Sequence, residues 1–168
     1  MQTKAGRAAT DDGLVDALLV ASRALVGVAA RSLAGEDDVT LPQFRALVVL
    51  ATRPGISVGE LADALDVAPS TATRLCDRLG RKHLVDRRQG TLDRRATEVH
   101  LAAAGRRLVE RVTERRRRDL AAIAARMPEE AAAGAVAALR RFAAAAGEPG
   151  GVDLFGWDDG RVRPGDAG

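Results

Sequence analysis

The sequence is poor in cysteine and in aromatic residues. It has one cysteine, Cys76, among 168 residues, and the aromatic residues make up only 2%. A single thiol excludes an internal disulfide and a cysteine cluster for a metal, which suits a reducing compartment. No stretch reaches the roughly 20 uninterrupted apolar residues that cross a bilayer, and no apolar signal-peptide core follows the first charges. We therefore expect a cytoplasmic protein with no membrane partner.

The motifs that carry catalysis are also missing. The sequence has no nucleophile elbow, no glycine-rich phosphate loop and no His-Glu-x-x-His arrangement. His83 and His100 are the two histidines, and neither they nor the thiol show a metal-ligand spacing. We expect a protein that is not an enzyme and that holds no metal and no cofactor.

Basic residues are concentrated in the middle of the chain. The net charge of the whole chain is +3, but residues 41–118 contain 17 basic and 9 acidic side chains, a local charge of +8. The remainder is acidic on balance. Because a polyanion responds to local positive charge, this central segment is the predicted region of polyanion binding.

Long runs of alanine, leucine and valine favour helix over sheet. Residues 14–33 are apolar on most sides of a predicted first helix, which therefore needs burial on most sides. Thr40 is the predicted N-cap of a second helix that ends near Thr52. Ser57 and Glu60 have the spacing of a capping box for a short third helix.

A fourth helix is predicted over residues 69–82, and it is expected to end at His83 because histidine tolerates the left-handed conformation. After it, the hydrophobic periodicity changes from that of a helix to that of strands. Alternating residues around a polar loop with Gly90 then indicate two short strands. The tail from Gly147 is rich in glycine, proline and aspartate and is predicted to be flexible. The later elements are strands over residues 84–88 and 95–101 and helices over residues 69–82, 102–126 and 128–146.

The fourth predicted helix has two different faces. When its residues are placed 100° apart, Cys76 and Leu79 lie within about 60° of Ala72, and the polar and basic residues fall on the opposite side. A packed back with hydroxyls and an arginine in front is what a recognition helix needs to reach DNA base edges and phosphates. The predicted contact residues are Ser70, Thr71, Thr73, Arg74 and Arg78.

The stretch from Thr40 to Gly105 resembles a known family. Within it, GELADALDVAPSTATRLCDRLGRKHLV resembles the helix-turn-helix of the MarR family of bacterial regulators, and Asp93-Arg94-Arg95 resembles the Asp-x-Arg signature of its wing. The resemblance implies a mainly α fold with a small β-hairpin wing, that is, a winged helix-turn-helix with N- and C-terminal dimerisation helices. It also implies that Arg94 enters the minor groove and that Asp93 and Arg95 shape the hairpin. Arg94 and Arg95 complete the predicted DNA-binding residues.

Two residues depart from the family pattern. Ala102 replaces the usual threonine after the wing, which is expected to alter the capping of the long helix, and His83 replaces a glycine. The predicted organisation is a dimerisation helix and acidic link over residues 1–39, a winged helix-turn-helix over 40–102, dimerisation helices over 103–146 and a tail over 147–168.

The resemblance implies a transcriptional regulator. We expect a repressor that binds a pseudo-palindromic operator in double-stranded DNA as a homodimer and responds to a small-molecule effector. The alternative is a winged-helix module that binds DNA or a protein partner and has no effector. Gly-rich loops, catalytic triads and metal motifs that would favour an enzyme are missing.

A ligand cleft between the dimerisation helices and the DNA-binding part is a further implication of the resemblance. The apolar residues that would line it serve equally well as core: Leu25, Ala29, Phe44, Leu47 and Val48. Residues 115–118, four consecutive arginines, are interpreted as a solvated helix face. Cys76 is interpreted as a small core hydrophobe and not as a redox sensor.

Overall fold

The structure is a computed structural model, and it describes residues 3–36, 38–89 and 97–148. Six helices and three strands lie in these ranges. In chain order they are α1 (Thr3–Ser32), α2 (Leu41–Thr52), β1 (Ile56–Ser57), α3 (Val58–Leu65), α4 (Pro69–Arg81), β2 (Val85–Gln89), β3 (Thr97–Leu101), α5 (Ala103–Ala124) and α6 (Glu129–Ala145).

The fold is mainly helical with a small antiparallel sheet in the order β1-β3-β2, which confirms the predicted fold class. Strands β2 and β3 form the hairpin stem, with Val85 opposite Leu101 and Gln89 opposite Thr97. The sequence did not indicate β1, which pairs Ile56 with Val99. Two residues are too short for a period-two pattern to be visible.

Two capping boxes fix the start of α2 and of α3. Gln43 N donates to Thr40 Oγ1 at 3.4 Å, and Thr40 N donates to Gln43 Oε1 at 3.2 Å. Ser57 and Glu60 form the same reciprocal pair at 3.2 and 2.8 Å. Both predicted N-caps are therefore confirmed, as is the left-handed end of the fourth helix, where His83 has a φ of 55°.

The core lies where α2, α3, α4, β3 and the first half of α5 meet. We call the unit formed by α2, β1, α3, α4, β2 and β3 the winged lobe. Its three helices and the strands β2 and β3 each contribute a side chain that is removed from solvent, so the lobe has its own hydrophobic centre. The most deeply buried large apolar residues of this centre, together with those of α5, include Leu47, Leu50, Leu61, Leu79, Val99, Val109 and Val112, and Ala46, Ala62 and Ala72 are buried beside them.

Helix α5 meets the winged lobe at a glycine. Gly105 is buried, and a Cβ at this position would overlap the carbonyl oxygen of Leu84 and press on Leu101. The same Leu84 oxygen accepts a hydrogen bond from Ala102 N at 3.0 Å. Ala102 is the N-cap of α5 and provides no side-chain hydrogen bond, as expected from its replacement of threonine.

Helix α1 is longer and more exposed than expected. It begins at Thr3 and not near Leu14, and Val28 and Ser32 are its buried residues among those whose side chains are described. Its stretch Asp12–Ser32 has a mean hydropathy of 1.7 and is long and apolar enough to cross a membrane, by length and composition only. The sequence criterion was an uninterrupted apolar run, which Asp16 and Arg23 prevent, whereas the mean hydropathy of the stretch stays high despite these charges.

Candidate nucleic-acid interface

Helix α4 is amphipathic in the sense predicted. Ala72, Cys76 and Leu79 are at most 1% exposed and face the core, whereas the opposite face is open to solvent. The two-faced helix is therefore confirmed, with Thr71 half-buried at the edge of the front face. The side chains exposed on the front are Ser70, Thr73, Arg74, Asp77, Arg78 and Arg81.

The amino-terminal turn of α4 has no side-chain cap. Pro69 occupies the first turn, and Ala68 at the N-cap provides no side-chain acceptor. Arg74 Nε donates to Ser70 O at 3.2 Å, which holds the guanidinium against the first turn, and Thr73 Oγ1 donates to Pro69 O at 2.9 Å. A helix N-terminus with an arginine beside it is an electrostatic site for a phosphate or a base-edge acceptor.

The hairpin stem is joined to α4 by an ion pair. Arg87 Nη2 of β2 donates to Asp77 Oδ1 at 2.6 Å. Asp77 is the single acidic residue of α4, so this contact leaves the other charges of the helix positive. The pair therefore connects the hairpin stem to α4 and offsets the one negative charge on the exposed face of that helix.

Cys76 lies behind this face. It is 1% exposed, and desolvation raises the pKa of its thiol above the ordinary value, although Arg87 acts in the opposite direction. A buried thiol with a raised pKa is a poor nucleophile. Its interpretation as a core residue is therefore confirmed.

The tip of the wing, with Arg94 and Arg95, lies outside the described residues. The predicted strands 84–88 and 95–101 correspond to β2 and β3, each shifted by one or two residues at its start. Strand β2 ends at Gln89 and β3 begins at Thr97.

The run of arginines on α5 is not simply solvated, and that interpretation was wrong for Arg115. Arg115 Nη2 binds Glu36 Oε1 at 2.6 Å and its Nη1 donates to Ala34 O at 3.1 Å. Arg111 binds the other Glu36 oxygen at 3.2 Å. Burial alone would raise the pKa of Glu36, but the hydrogen bonds from both arginines outweigh it and lower the pKa.

Arg116 is also part of the packed interior. Its guanidinium carbon lies 5.3 Å from the centroid of the Phe44 ring, and its Nε donates to Ser32 Oγ at 3.4 Å. Burial lowers its pKa, and its Nη2 is buried with no hydrogen-bond partner among the described residues. The signal for this burial was in the sequence, because Arg116 follows the buried Val109 and Val112 at helical spacings of seven and four.

A shallow groove lies beside Arg116, between α1 and α5. Its volume is about 300 Å³. Of the five predicted ligand-lining residues, Leu25 and Ala29 border this groove, whereas Phe44 and Leu47 are buried in the core and Val48 packs against that core. The residues that border the groove are Leu25, Val26, Val28, Ala29, Arg116 and Leu120.

No group of three or more histidine, cysteine or acidic side chains comes together as a metal site within residues 3–36, 38–89 and 97–148. The geometry that stands out in these ranges is instead a cationic helix face with a packed back. Such a face can bind a polyanion by charge and by hydrogen bonding.

Comparison with known proteins supports a nucleic-acid interface. The family model described as "MarR family" matches residues 39–97. Among curated relatives, the HTH-type transcriptional repressor MdtR of Bacillus subtilis is 34% identical over 70 residues, which are 42% of this chain and 45% of MdtR. The chain spans between 45% and 64% of the length of the curated relatives that it matches.

Two solved structures resemble nearly the whole described fold. RV1404 from Mycobacterium tuberculosis is 42% identical with a TM-score of 0.76, and the match covers 82% of this chain and 95% of RV1404. A MarR family protein from Bacillus stearothermophilus is 30% identical with a TM-score of 0.74, and the match covers 82% of this chain and 96% of that protein.

Proposed function

The chain belongs to the MarR family, and from this premise we propose that it is a cytoplasmic repressor that binds a pseudo-palindromic operator as a homodimer and responds to a small molecule. Proteins of this family are transcriptional regulators, and the proposal includes no enzymatic activity. The observation that carries it is α4, whose apolar back is buried while its basic front is exposed.

The DNA contacts are assigned to α4 and to the tip of the wing. Arg74 is held at the amino-terminal turn by its bond to Ser70 O, and an arginine in this position can form a bidentate contact with guanine. The wing arginines act through charge and minor-groove shape. The assigned residues are Ser70, Thr71, Thr73, Arg74, Arg78, Arg94 and Arg95.

Repression is the simplest output of such a molecule, because occupancy of the operator suffices to exclude a polymerase. The relative MdtR is named a transcriptional repressor. We assign the same sign of regulation to this chain.

The homodimer is supported by apolar side chains that the single chain leaves in solvent. Large exposed apolar patches mark interfaces, and most of the exposed large apolar side chains here lie on α1 and α6, outside the winged lobe. We assign residues 1–39 and 103–146 to dimerisation, 40–102 to DNA binding and 147–168 to a tail. The apolar residues more than half exposed on α1 and α6 are Leu14, Val15, Leu19, Val20, Leu25, Val26, Val136 and Leu139.

The effector is assigned to the groove between α1 and α5. Leu25 and Ala29 provide an apolar wall, and Arg116 provides a buried donor that lacks an acceptor among the described residues. Because Arg116 also lies against Phe44 of α2, an occupant would act at the junction of α1, α5 and the winged lobe. The alternative, a winged-helix module without an effector, predicts one operator affinity whatever metabolite is added.

The proposal is tested with the operator duplex that the wild-type protein selects from a random-sequence pool. Arg74→Ala should weaken binding to this duplex by roughly 1–3 kcal/mol and binding to a scrambled duplex much less. Arg140→Ala removes an equal charge from α6 and should change the affinity for neither duplex. If Arg74→Ala binds the operator like wild type in fluorescence anisotropy, α4 is not the recognition helix and the proposal is wrong.

A further inference from the structure

A second basic feature lies at the opposite end of α4 from Arg74. A groove of about 360 Å³ runs between the carboxyl end of α4 and the amino end of α2, and it is bordered by Gln43, Arg78, Arg81 and Lys82. Three of its four residues are cationic. It is therefore a site for an oxyanion on grounds of charge.

The charges of this groove are not neutralised within the part of the chain that the structure describes. Neither Arg78 nor Arg81 forms an ion pair there. Lys82 Nζ donates at 3.3 Å to Gln43 Oε1, which is a neutral acceptor. No carboxylate borders the groove.

Gln43 fixes the position of the ammonium group. Its side chain is buried, with the residue only 3% exposed, and its Oε1 accepts from both Thr40 N and Lys82 Nζ. Lys82 is consequently held at the amino end of α2, where the helix dipole is positive and a cation is disfavoured. An anion bound in the groove would interact favourably with the ammonium and with this helix end.

The helical phase places the groove on the DNA-facing side of α4. Arg81 follows Arg74 by seven residues, so the two side chains leave the helix about 20° apart. Helix α4 has 13 residues and is about 20 Å long, whereas the major groove is about 12 Å wide. If the amino-terminal turn contacts base edges, the carboxyl-terminal turn reaches the sugar-phosphate backbone.

We propose that Arg81 and Lys82, with Lys82 positioned by Gln43, bind a backbone phosphate at the edge of each operator half-site. This inference rests on the proposed role of α4 as the recognition helix. It adds to that role a contact that carries no sequence information but fixes the register of α4 on the duplex.

The first test measures salt dependence. Arg81→Gln and Lys82→Gln should each weaken binding to the operator and to a scrambled duplex by the same factor, roughly tenfold. The slope of log affinity against log salt should fall by about 0.9 for each phosphate that the variant no longer binds. Arg140→Gln on α6 is the control and should leave the slope unchanged. Unchanged slopes for both groove variants would overturn the proposal.

The second test separates DNA binding from folding. Gln43→Glu keeps an acceptor for Thr40 N and Lys82 Nζ and places a carboxylate at a helix N-terminus, so the melting temperature should stay equal or rise. The same carboxylate should repel a phosphate and lower the affinity for both duplexes. Stable protein with wild-type DNA affinity would show that Gln43 and Lys82 have only a structural role.

The third test identifies the source of the phosphate. Neutral methylphosphonates placed singly along the operator should weaken wild-type binding at one position in each half-site, with no additional weakening at that position in Arg81→Gln. Inorganic phosphate alone should not raise the melting temperature in an Arg81-dependent way. A rise that Arg81→Gln abolishes would indicate a small-anion site and overturn the backbone assignment.

Arg74→Ala distinguishes the two proposals. Loss of operator specificity in Arg74→Ala with normal binding in Arg81→Gln would overturn the phosphate contact and leave the recognition helix in place. Normal operator binding by Arg74→Ala would remove the premise, and both proposals would fall.

Discussion

Arg87 of β2 and Asp77 of α4 are joined by an ion pair of 2.6 Å that connects the hairpin stem to the basic helix. Both side chains are about half exposed, so the contribution of the pair to the free energy of unfolding is at most about 1 kcal/mol. Its main effect is on charge, because it cancels the one negative side chain on α4.

Asp77→Asn should therefore raise the affinity for scrambled DNA more than it raises the affinity for the operator. The substitution removes the negative charge and releases Arg87 toward the phosphates, which strengthens the contact that carries no sequence information. Fluorescence anisotropy on both duplexes measures the ratio of the operator affinity to the scrambled-duplex affinity. Asp63→Asn on α3 is the matched control. If it changed this affinity ratio equally, the effect would come from net charge alone.

Arg94→Ala tests the wing. If Arg94 acts through charge in the narrow minor groove, its loss should weaken binding to the operator and to the scrambled duplex by similar factors. The slope of log affinity against log salt should fall in magnitude by about one. The measurement is a salt titration of binding to both duplexes. A loss confined to the operator, with the slope unchanged, would contradict this prediction.

Leu139→Glu tests the dimer. Leu139 is 54% exposed in the single chain, so a charge there should leave the melting of the winged lobe unaffected but disfavour an interface on α6. Light scattering should show a shift from dimer toward monomer at low concentration. Ala137→Glu lies about 160° around the helix and should keep the dimer. An intact Leu139→Glu dimer would exclude this face of α6 from the interface.

Glu36→Gln should reduce the dependence of stability on acid pH. Since the folded-state pKa of Glu36 is lowered, its contribution is present above the unfolded value near 4.5 and is lost as the pH falls through the folded pKa. At pH 7 the variant should be less stable by about 1 kcal/mol. Urea unfolding at pH 7 and below pH 4 checks both statements, with Glu114→Gln as control. The prediction would be contradicted if Glu36→Gln lost as much unfolding free energy between pH 7 and pH 4 as the wild-type protein does.

Gly105→Ala should destabilise the fold by about 1–3 kcal/mol, because the new methyl group overlaps Leu84 O and Leu101. Gly134→Ala on α6 is the matched control. Apart from the adjacent residues and the backbone of its own helix, no described atom lies within 4 Å of a Cβ built there, so the change should stabilise the helix by up to about 1 kcal/mol. Thermal unfolding of both variants decides the prediction. Equal melting temperatures would mean that α5 can move away from β2 and β3 without cost.

The sequence predicted features that depend on neighbours along the chain. Thr40 was recognisable as an N-cap from Pro42 in the first turn, and Ser57 from Glu60 three residues later. The two faces of α4 follow from helical periodicity. The surroundings of Arg116 depend on Phe44 of α2 and Ser32 of α1, which only tertiary packing brings to α5. The run of four arginines was therefore interpreted as uniformly solvated, although its members differ in burial and in their contacts.

The predicted ligand-lining residues show the same limit. Leu25 and Leu47 are equally apolar in the sequence, but one borders a groove and the other is fully buried. Hydrophobicity identifies a side chain that avoids water and does not specify whether protein or ligand covers it. The second basic groove was also missed, because Gln43 and Lys82 meet only when α2 packs beside the end of α4.

Ser57 has two structural roles, since it pairs with Glu98 in the sheet and also caps α3. The hairpin stem cannot tilt without displacing the start of α3, and the Asp77–Arg87 pair ties the same stem to α4. Each winged lobe should therefore turn as a rigid body, with its hinge near the glycine contact of α5. Under the proposed function, an effector would then alter the spacer length between half-sites that the dimer prefers, while the base preference within each half-site stays the same.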